Sequence, residues 1–199
     1  MPWEISFLEK LGELTNQNPS LNWLSYILLI ITFSVDKGMI WIIISILMLC
    51  FKKSRKCGVT LIIGTIIFSL LFNNIFIKNV VNRIRPYEVS STLKDNVSDW
   101  MLPLDSSFLH FFEIPNDPSF MSGHSFSSFL SAAIILKYHK KLGYIALIYA
   151  LIVAFSRLYF GVHYPTDVLC GCGFGFILGY LTTFYIDMFT KQIKRREYE

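Results

Sequence analysis

Residues 59–86 read VTLIIGTIIFSLLFNNIFIKNVVNRIRP, and this stretch decides the fold. Residues 59–77 carry no charge, and the run then ends in Lys78, Arg83 and Arg85. A helix needs about 20 apolar residues to cross a bilayer, within a range of about 17–25. The stretch therefore reads as a membrane crossing with cations gathered at one end.

Working outward, five more apolar blocks lie at residues 21–33, 39–51, 126–138, 142–155 and 168–184. Of these only 168–184 reaches crossing length unaided; the rest need their polar flanks to complete a span. The whole chain is 53% apolar and 16% charged, with a mean hydropathy of +0.49. Soluble domains carry about 25% charged residues. The composition argues against a soluble globular enzyme, a disordered tail and a low-complexity chain. The expected architecture is all-α, a bundle of six transmembrane helices forming a single domain over residues 1–199. Asp36-Lys37-Gly38 reads as a tight turn that folds the first two blocks into a helical hairpin. The first block lacks the basic flank and small-residue cleavage site of a signal peptide.

The basic residues give an independent test. Eleven of the 18 Lys and Arg fall in three clusters: Lys52, Lys53, Arg55 and Lys56; Lys137, Lys140 and Lys141; Lys191, Lys194, Arg195 and Arg196. They follow the second, fourth and sixth blocks. Six crossings put all three on one face, whereas five or seven are expected to scatter them. The positive-inside rule makes that face cytoplasmic, with both termini there. The net charge of +4 then serves topology and contact with anionic lipid. No basic stripe with interleaved aromatics points to nucleic acid.

Two segments lie outside the blocks. In residues 1–17, Ile5, Phe7, Leu8, Leu11 and Leu14 recur near helical spacing against Glu4, Glu9, Lys10 and Glu13. This fits an interfacial helix, and equally a helix docked on the bundle. Residues 86–121 form an extracytoplasmic loop with six acidic residues and one Lys, plus the apolar set Leu102, Leu104, Phe108, Leu109, Phe111, Phe112 and Ile114. It reads as a segment touching the membrane, or as a cap on the bundle. Cys50, Cys57, Cys170 and Cys172 lie in or beside spans; the Cys170-Gly171-Cys172 run lacks zinc-ligand spacing. With Gly173, Gly175 and Gly179 it reads as the small-residue face of a packed helix.

The polar residues that do not suit a span sort to one end of the layout. Lys78, Arg83 and Arg85 follow the third block, Ser122, Gly123 and His124 precede the fourth, and Arg157, His163 and Asp167 join the fifth to the sixth. Ionisable groups at membrane depth are costly and usually functional. Ser122-Gly123-His124 opens a helix, where free N–H groups and the dipole favour an anion. Lys78, Arg85 and Arg157 bring three cations, and the arginine fork matches phosphate geometry. His163 and Asp167 are four apart around Pro165, so the carboxylate can fix the imidazole tautomer. Taken singly, each has a plain alternative: an arginine near a helix end snorkels, and a histidine before a helix caps it. Together they form what metal-free phosphoryl transfer requires: charge neutralisation, a nucleophile and an acid. Arg83 reads as a structural or lipid-facing cation, and His110 and His139 have no such company.

These residues resemble the type-2 phosphatidic acid phosphatase superfamily of membrane lipid phosphatases, which shares its helical core with haloperoxidases. Lys78-NVVNRI-Arg85-Pro86 is similar to its first motif, Met121-Ser122-Gly123-His124 to its second, and Ser156-Arg157-LYFGV-His163-YPT-Asp167 to its third. Met121 stands where the family has proline, which removes no phosphate ligand and no catalytic proton. The resemblance implies a haloperoxidase-like phosphatase core with no metal and no cofactor. It implies His163 as nucleophile, Asp167 orienting it, His124 as general acid, and Lys78, Arg85, Ser122, Gly123 and Arg157 as phosphate ligands. It also implies hydrolysis of a phosphorylated lipid at the outer face of the cell membrane, via a phosphohistidine. Undecaprenyl diphosphate is the expected substrate; phosphatidic acid or phosphatidylglycerophosphate would meet the same phosphate site. A lipid transporter is the alternative from another class, but it predicts charges spread along a path and a repeat relating the halves.

Overall fold

The computed structural model describes residues 2–16, 19–95 and 115–196, and no strand occurs among them. The apolar set of the 86–121 loop lies outside the described residues. The helices are α1 (Pro2–Asn16), α2 (Asn22–Val35), α3 (Met39–Cys50), α4 (Arg55–Gly64), α5 (Lys78–Val81), α6 (Pro86–Val89), α7 (Gly123–Tyr138), α8 (Lys140–Tyr159) and α9 (Pro165–Arg196). A π-helical stretch, Thr65–Ile77, joins α4 to α5, so one continuous rod carries the opening stretch as far as Val81.

Four helical runs among the described residues are long and apolar enough to cross a membrane: Asn22–Cys50, Arg55–Val89, Lys140–Tyr159 and Pro165–Ile193. Their outward faces carry exposed Ile30, Ile43, Leu47, Ile66, Leu71, Ile148, Phe174 and Ile177. A water-soluble protein does not expose so broad an apolar belt. α7 has 16 residues, and everything from Ser125 to Ile135 is buried. It is the central helix, wrapped by the others. The glycines of α9 seat it: a Cβ on Gly171, Gly175 or Gly179 would lie 2.9, 2.4 and 2.4 Å from the carbonyl oxygens of Ser122, Phe126 and Leu130. That stripe is the expected small-residue face, except for Gly173, which faces open space. The two helix backbones thus touch, and the start of α9 lies beside the start of α7.

The expected hairpin of the first two blocks is not what forms. Ser25 bonds Tyr159 at 2.9 Å and Thr32 bonds Ser156 at 2.6 Å, so α2 descends along α8 from its end. Gly38 then sits against Thr65, and Ser45 and Leu49 sit against Gly58. α3 therefore continues in the same direction along α4. The two helices run end to end as one broken crossing, with Lys37 (φ 50°) and Gly38 (φ 76°) in left-handed backbone at the break. Six crossings are thus not seen among the described residues.

The basic clusters still share one end. Lys56 pairs with Asp187 at 2.5 Å, and Tyr138 donates to Asp187 at 3.1 Å, tying the start of α4 to the ends of α7 and α9. α1 stands at the opposite end, where Glu4 bonds Thr166 and Glu9 accepts from Ser90 at 2.7 Å. The chain therefore begins at one end of the bundle and finishes α9 at the other, against the expectation that both termini share the basic face. The charge argument misled for a physical reason: each pair of clusters is separated by two crossings, whatever number precedes the first.

α1 is docked on the bundle through Glu4, Leu8, Gly12 and Thr15, all buried. Its outer face shows Trp3, Phe7 and Leu14. The sequence-derived polar face is thus partly inverted, because Glu4 has a charged partner inside.

Candidate active site

The rod ends where Asn82 adopts left-handed backbone (φ 46°) and releases the chain from the helix. Arg85 that follows is extended, with ψ 153°. Residues two apart in extended backbone share a side. Arg83 and Arg85 accordingly turn inward, while Ile84 is exposed. Ser122 caps α7, its hydroxyl accepting from the Ser125 N–H at 3.4 Å and from the Ser125 hydroxyl at 3.0 Å. The Ser122 N–H reaches the Asp167 carbonyl at 3.2 Å, joining the second motif to the third. Pro165 opens α9, so His163 sits just before its first turn and Asp167 within it.

The structure brings the expected residues together at this one end. His163 is 2% exposed and Asp167 is fully buried. Arg85 donates to the Val162 carbonyl at 2.8 Å and lies 3.4 Å from His163 Nε2. A guanidinium can only donate, so Nε2 is the acceptor and the proton belongs on Nδ1. Nδ1 lies 3.4 Å from the Ser119 hydroxyl and 3.7 Å from Asp167 Oδ2. Arg157 is buried, and its Nε has no hydrogen-bond partner among the described residues. His124, on the first turn of α7, lies within electrostatic reach of Arg157, His163, Lys78 and Arg85. A Cβ on Gly123 would meet the Asn74 side-chain oxygen at 2.9 Å, so glycine keeps this turn close to the rod. Burial, then the charges of Arg85, Arg157 and Lys78, hold the His163 imidazole well below its ordinary range. It is therefore neutral at physiological pH, with its Nε2 lone pair directed among cations.

Four residues at this end were given no place in the site from the sequence: Asp117, Ser119, Arg83 and Glu4. Asp117 pairs with Lys78 and with Arg85, the latter at 2.6 Å. Burial raises its carboxyl, but Lys78 and Arg85 outweigh that and hold it at about 2. Ser119 donates to Asp167 Oδ2. Arg83, read as a structural or lipid-facing cation, is structural: it donates to Asp167 Oδ1 and to Glu4 at 2.7 Å. The signal for Arg83 was its place two residues before Arg85. For Glu4 it was the shared helical face of positions 4, 8, 12 and 15. Asp117 and Ser119 carry no local pattern; only the fold brings them in. Among the described residues no three His, Cys, Asp or Glu side chains converge as metal ligands would.

A helical membrane protein with buried cations around a neutral histidine and its carboxylate defines the class of membrane-embedded phosphate-ester hydrolases. Residues 58–191 match the family model of the PAP2 superfamily, and the chain belongs to that family. It is 29% identical over 181 residues to an undecaprenyl-diphosphatase of Sulfolobus acidocaldarius, covering 89% of this chain and 78% of that one. It is 41% identical over 88 residues to phosphatidylglycerophosphatase B of Bacillus subtilis, covering 39% of this chain and 41% of that one. The fold matches the crystal structure of a transmembrane PAP2-type phosphatidylglycerolphosphate phosphatase from Bacillus subtilis with a TM-score of 0.57 at 27% identity, over 96% of this chain and 87% of that one. The protein is a lipid phosphatase.

Proposed function

We propose that the protein removes the terminal phosphate of undecaprenyl diphosphate at the outer face of the cell membrane, through a phosphohistidine. The observation that carries the chemistry is the His163 Nε2 lone pair set 3.4 Å from Arg85, with Lys78 and Arg157 buried nearby. In this reading Nε2 attacks the terminal phosphorus, and the bond to the bridging oxygen breaks. His124 gives its proton to the departing lipid phosphate. Water then attacks the phosphohistidine, losing a proton to His124, and inorganic phosphate leaves. Lys78, Arg85, Arg157, Ser122 and the Gly123 N–H neutralise the phosphate oxygens. Asp167 holds the Nδ1 proton and favours the imidazolium-like charge that develops.

The basic clusters at the opposite end support an outward-facing site, by the positive-inside rule. α1 would then lie at the outer surface, with Trp3 and Phe7 at headgroup level. The diphosphate preference is supported by the Sulfolobus acidocaldarius relative, which aligns over most of both chains. The Bacillus subtilis structure favours phosphatidylglycerophosphate as the second reading.

The test is phosphate release by the purified protein, in detergent with EDTA, from undecaprenyl diphosphate, phosphatidic acid and phosphatidylglycerophosphate. The highest kcat/KM is expected for undecaprenyl diphosphate. A clear preference for either glycerolipid would move the assignment to that lipid.

A further inference from the structure

The mechanism just given leaves Glu4 and Arg83 unused, and they meet beside Asp167. Glu4 is fully buried beneath α1. Its carboxylate accepts from Arg83 at 2.7 Å, from the Thr166 hydroxyl at 2.6 Å and from the Thr166 N–H at 3.2 Å. Arg83 donates onward to Asp167 Oδ1 and to the Thr166 hydroxyl at 2.8 Å. Its guanidinium carbon lies over Tyr164, 3.7 Å from the ring centroid. One arginine thus lies between two buried carboxylates, one from α1 and one from the turn that carries His163. A simple tether for α1 would need only the Thr166 contacts. Instead, the guanidinium reaches the carboxylate whose other oxygen is 3.7 Å from His163 Nδ1.

We propose that Glu4 and Arg83 are a positioning pair that sets the basicity of His163 through Asp167, which makes α1 a working part of the site. This rests on the reading of His163 as nucleophile. Asp167 Oδ2 also accepts from Ser119 and from the Tyr164 N–H at 3.1 Å. With Arg83 on Oδ1, the carboxylate is drained of charge and pulls weakly on the Nδ1 proton. His163 then stays neutral and its Nε2 lone pair stays available. Glu4 neutralises part of the Arg83 charge and so limits the draining. The other groups acting on His163 are Arg85, Arg157, Lys78 and Asp117, with His124 across the site. Glu88 acts on Tyr164 beside Arg83. Neither of the two substitutions below alters any of these.

The pair makes a prediction of opposite signs. Arg83→Gln removes the cation paired with Asp167, favours imidazolium and moves the acid limb of kcat/KM upward by about one pH unit. Glu4→Gln leaves Arg83 leaning wholly on Asp167 and moves the limb downward. KM changes little, because neither side chain is among the phosphate ligands. The double variant Glu4→Gln/Arg83→Gln follows Arg83→Gln. Ionisation of the lipid phosphate is common to all forms and cancels in the comparison. If Arg83→Gln fails to fold because Glu4 loses its counter-charge, Glu4→Gln against the double variant carries the same test of sign. Limbs that stay at the wild-type position, or single variants that shift together, would overturn the pair. Wild-type protein that releases no phosphate from any lipid would overturn the reading of His163 beneath it.

Discussion

Asp117 holds two of the three cations proposed to bind the substrate phosphate. Its carboxylate bridges Lys78 and Arg85, and its backbone carbonyl accepts from Arg85 Nε at 2.7 Å. In the proposed mechanism, phosphate binding would displace that carboxylate or share its partners. Because its pKa is held at about 2, mild acid does not release it: the ion pairs stabilise the fold above the ordinary carboxyl value and are lost only as pH falls through about 2. Asp117→Asn is expected to strengthen competitive inhibition by inorganic phosphate by about tenfold, equivalent to about 1.4 kcal/mol. An unchanged or weaker inhibition constant would show that Asp117 orients Lys78 and Arg85 rather than competing for them. At this scale the sequence reading found Lys78, Arg85, Arg157, His163 and Asp167, because charge inside an apolar chain stands out. It named Arg83 as a structural or lipid-facing cation but not its partners, because Glu4 and Asp167 are distant from it in sequence. It passed over Asp117 and Ser119 because nothing local marks them; their meaning comes from Lys78 and His163, which are distant in sequence.

The broken crossing is the lesson at the scale of elements. Asp36-Lys37-Gly38 has the composition of a turn, and it does break the helix, with left-handed backbone at Lys37 and Gly38. A break in a helix is not a reversal of the chain. What decides between them is where α3 packs, and its partners Gly58 and Thr65 are contacts that periodicity does not report. The consequence for topology is direct. In a cysteine-free background, Glu13→Cys on α1 and Ser91→Cys after α6 should both react with an impermeant thiol reagent in intact cells. Lys53→Cys, between α3 and α4, should react only after lysis. If Glu13→Cys instead follows Lys53→Cys, the first two blocks form the hairpin and α1 lies inside. The glycine stripe on α9, by contrast, was legible, because small residues four apart in a crossing have few other uses.

At the scale of the molecule, the fold sets a charged site into one end of an apolar bundle and gathers basic residues at the other. The apolar outer surface confines substrate to molecules that present phosphate at the membrane surface. Buried α7 and the α7–α9 contact hold Ser122, Gly123 and His124 beside His163 and Asp167. Membrane character and all-helical class were legible from composition and block length; the number of crossings depended on packing. The central claim is that His163 becomes phosphorylated during turnover. The most direct measurement is protein-bound phosphate after a rapid alkaline quench, using substrate labelled in its terminal phosphate. Wild-type protein should carry base-stable, acid-labile label, His124→Ala should retain it, and His163→Ala should carry none and release no phosphate. Label of equal amount on His163→Ala, or phosphate release at near the wild-type rate, would contradict the account.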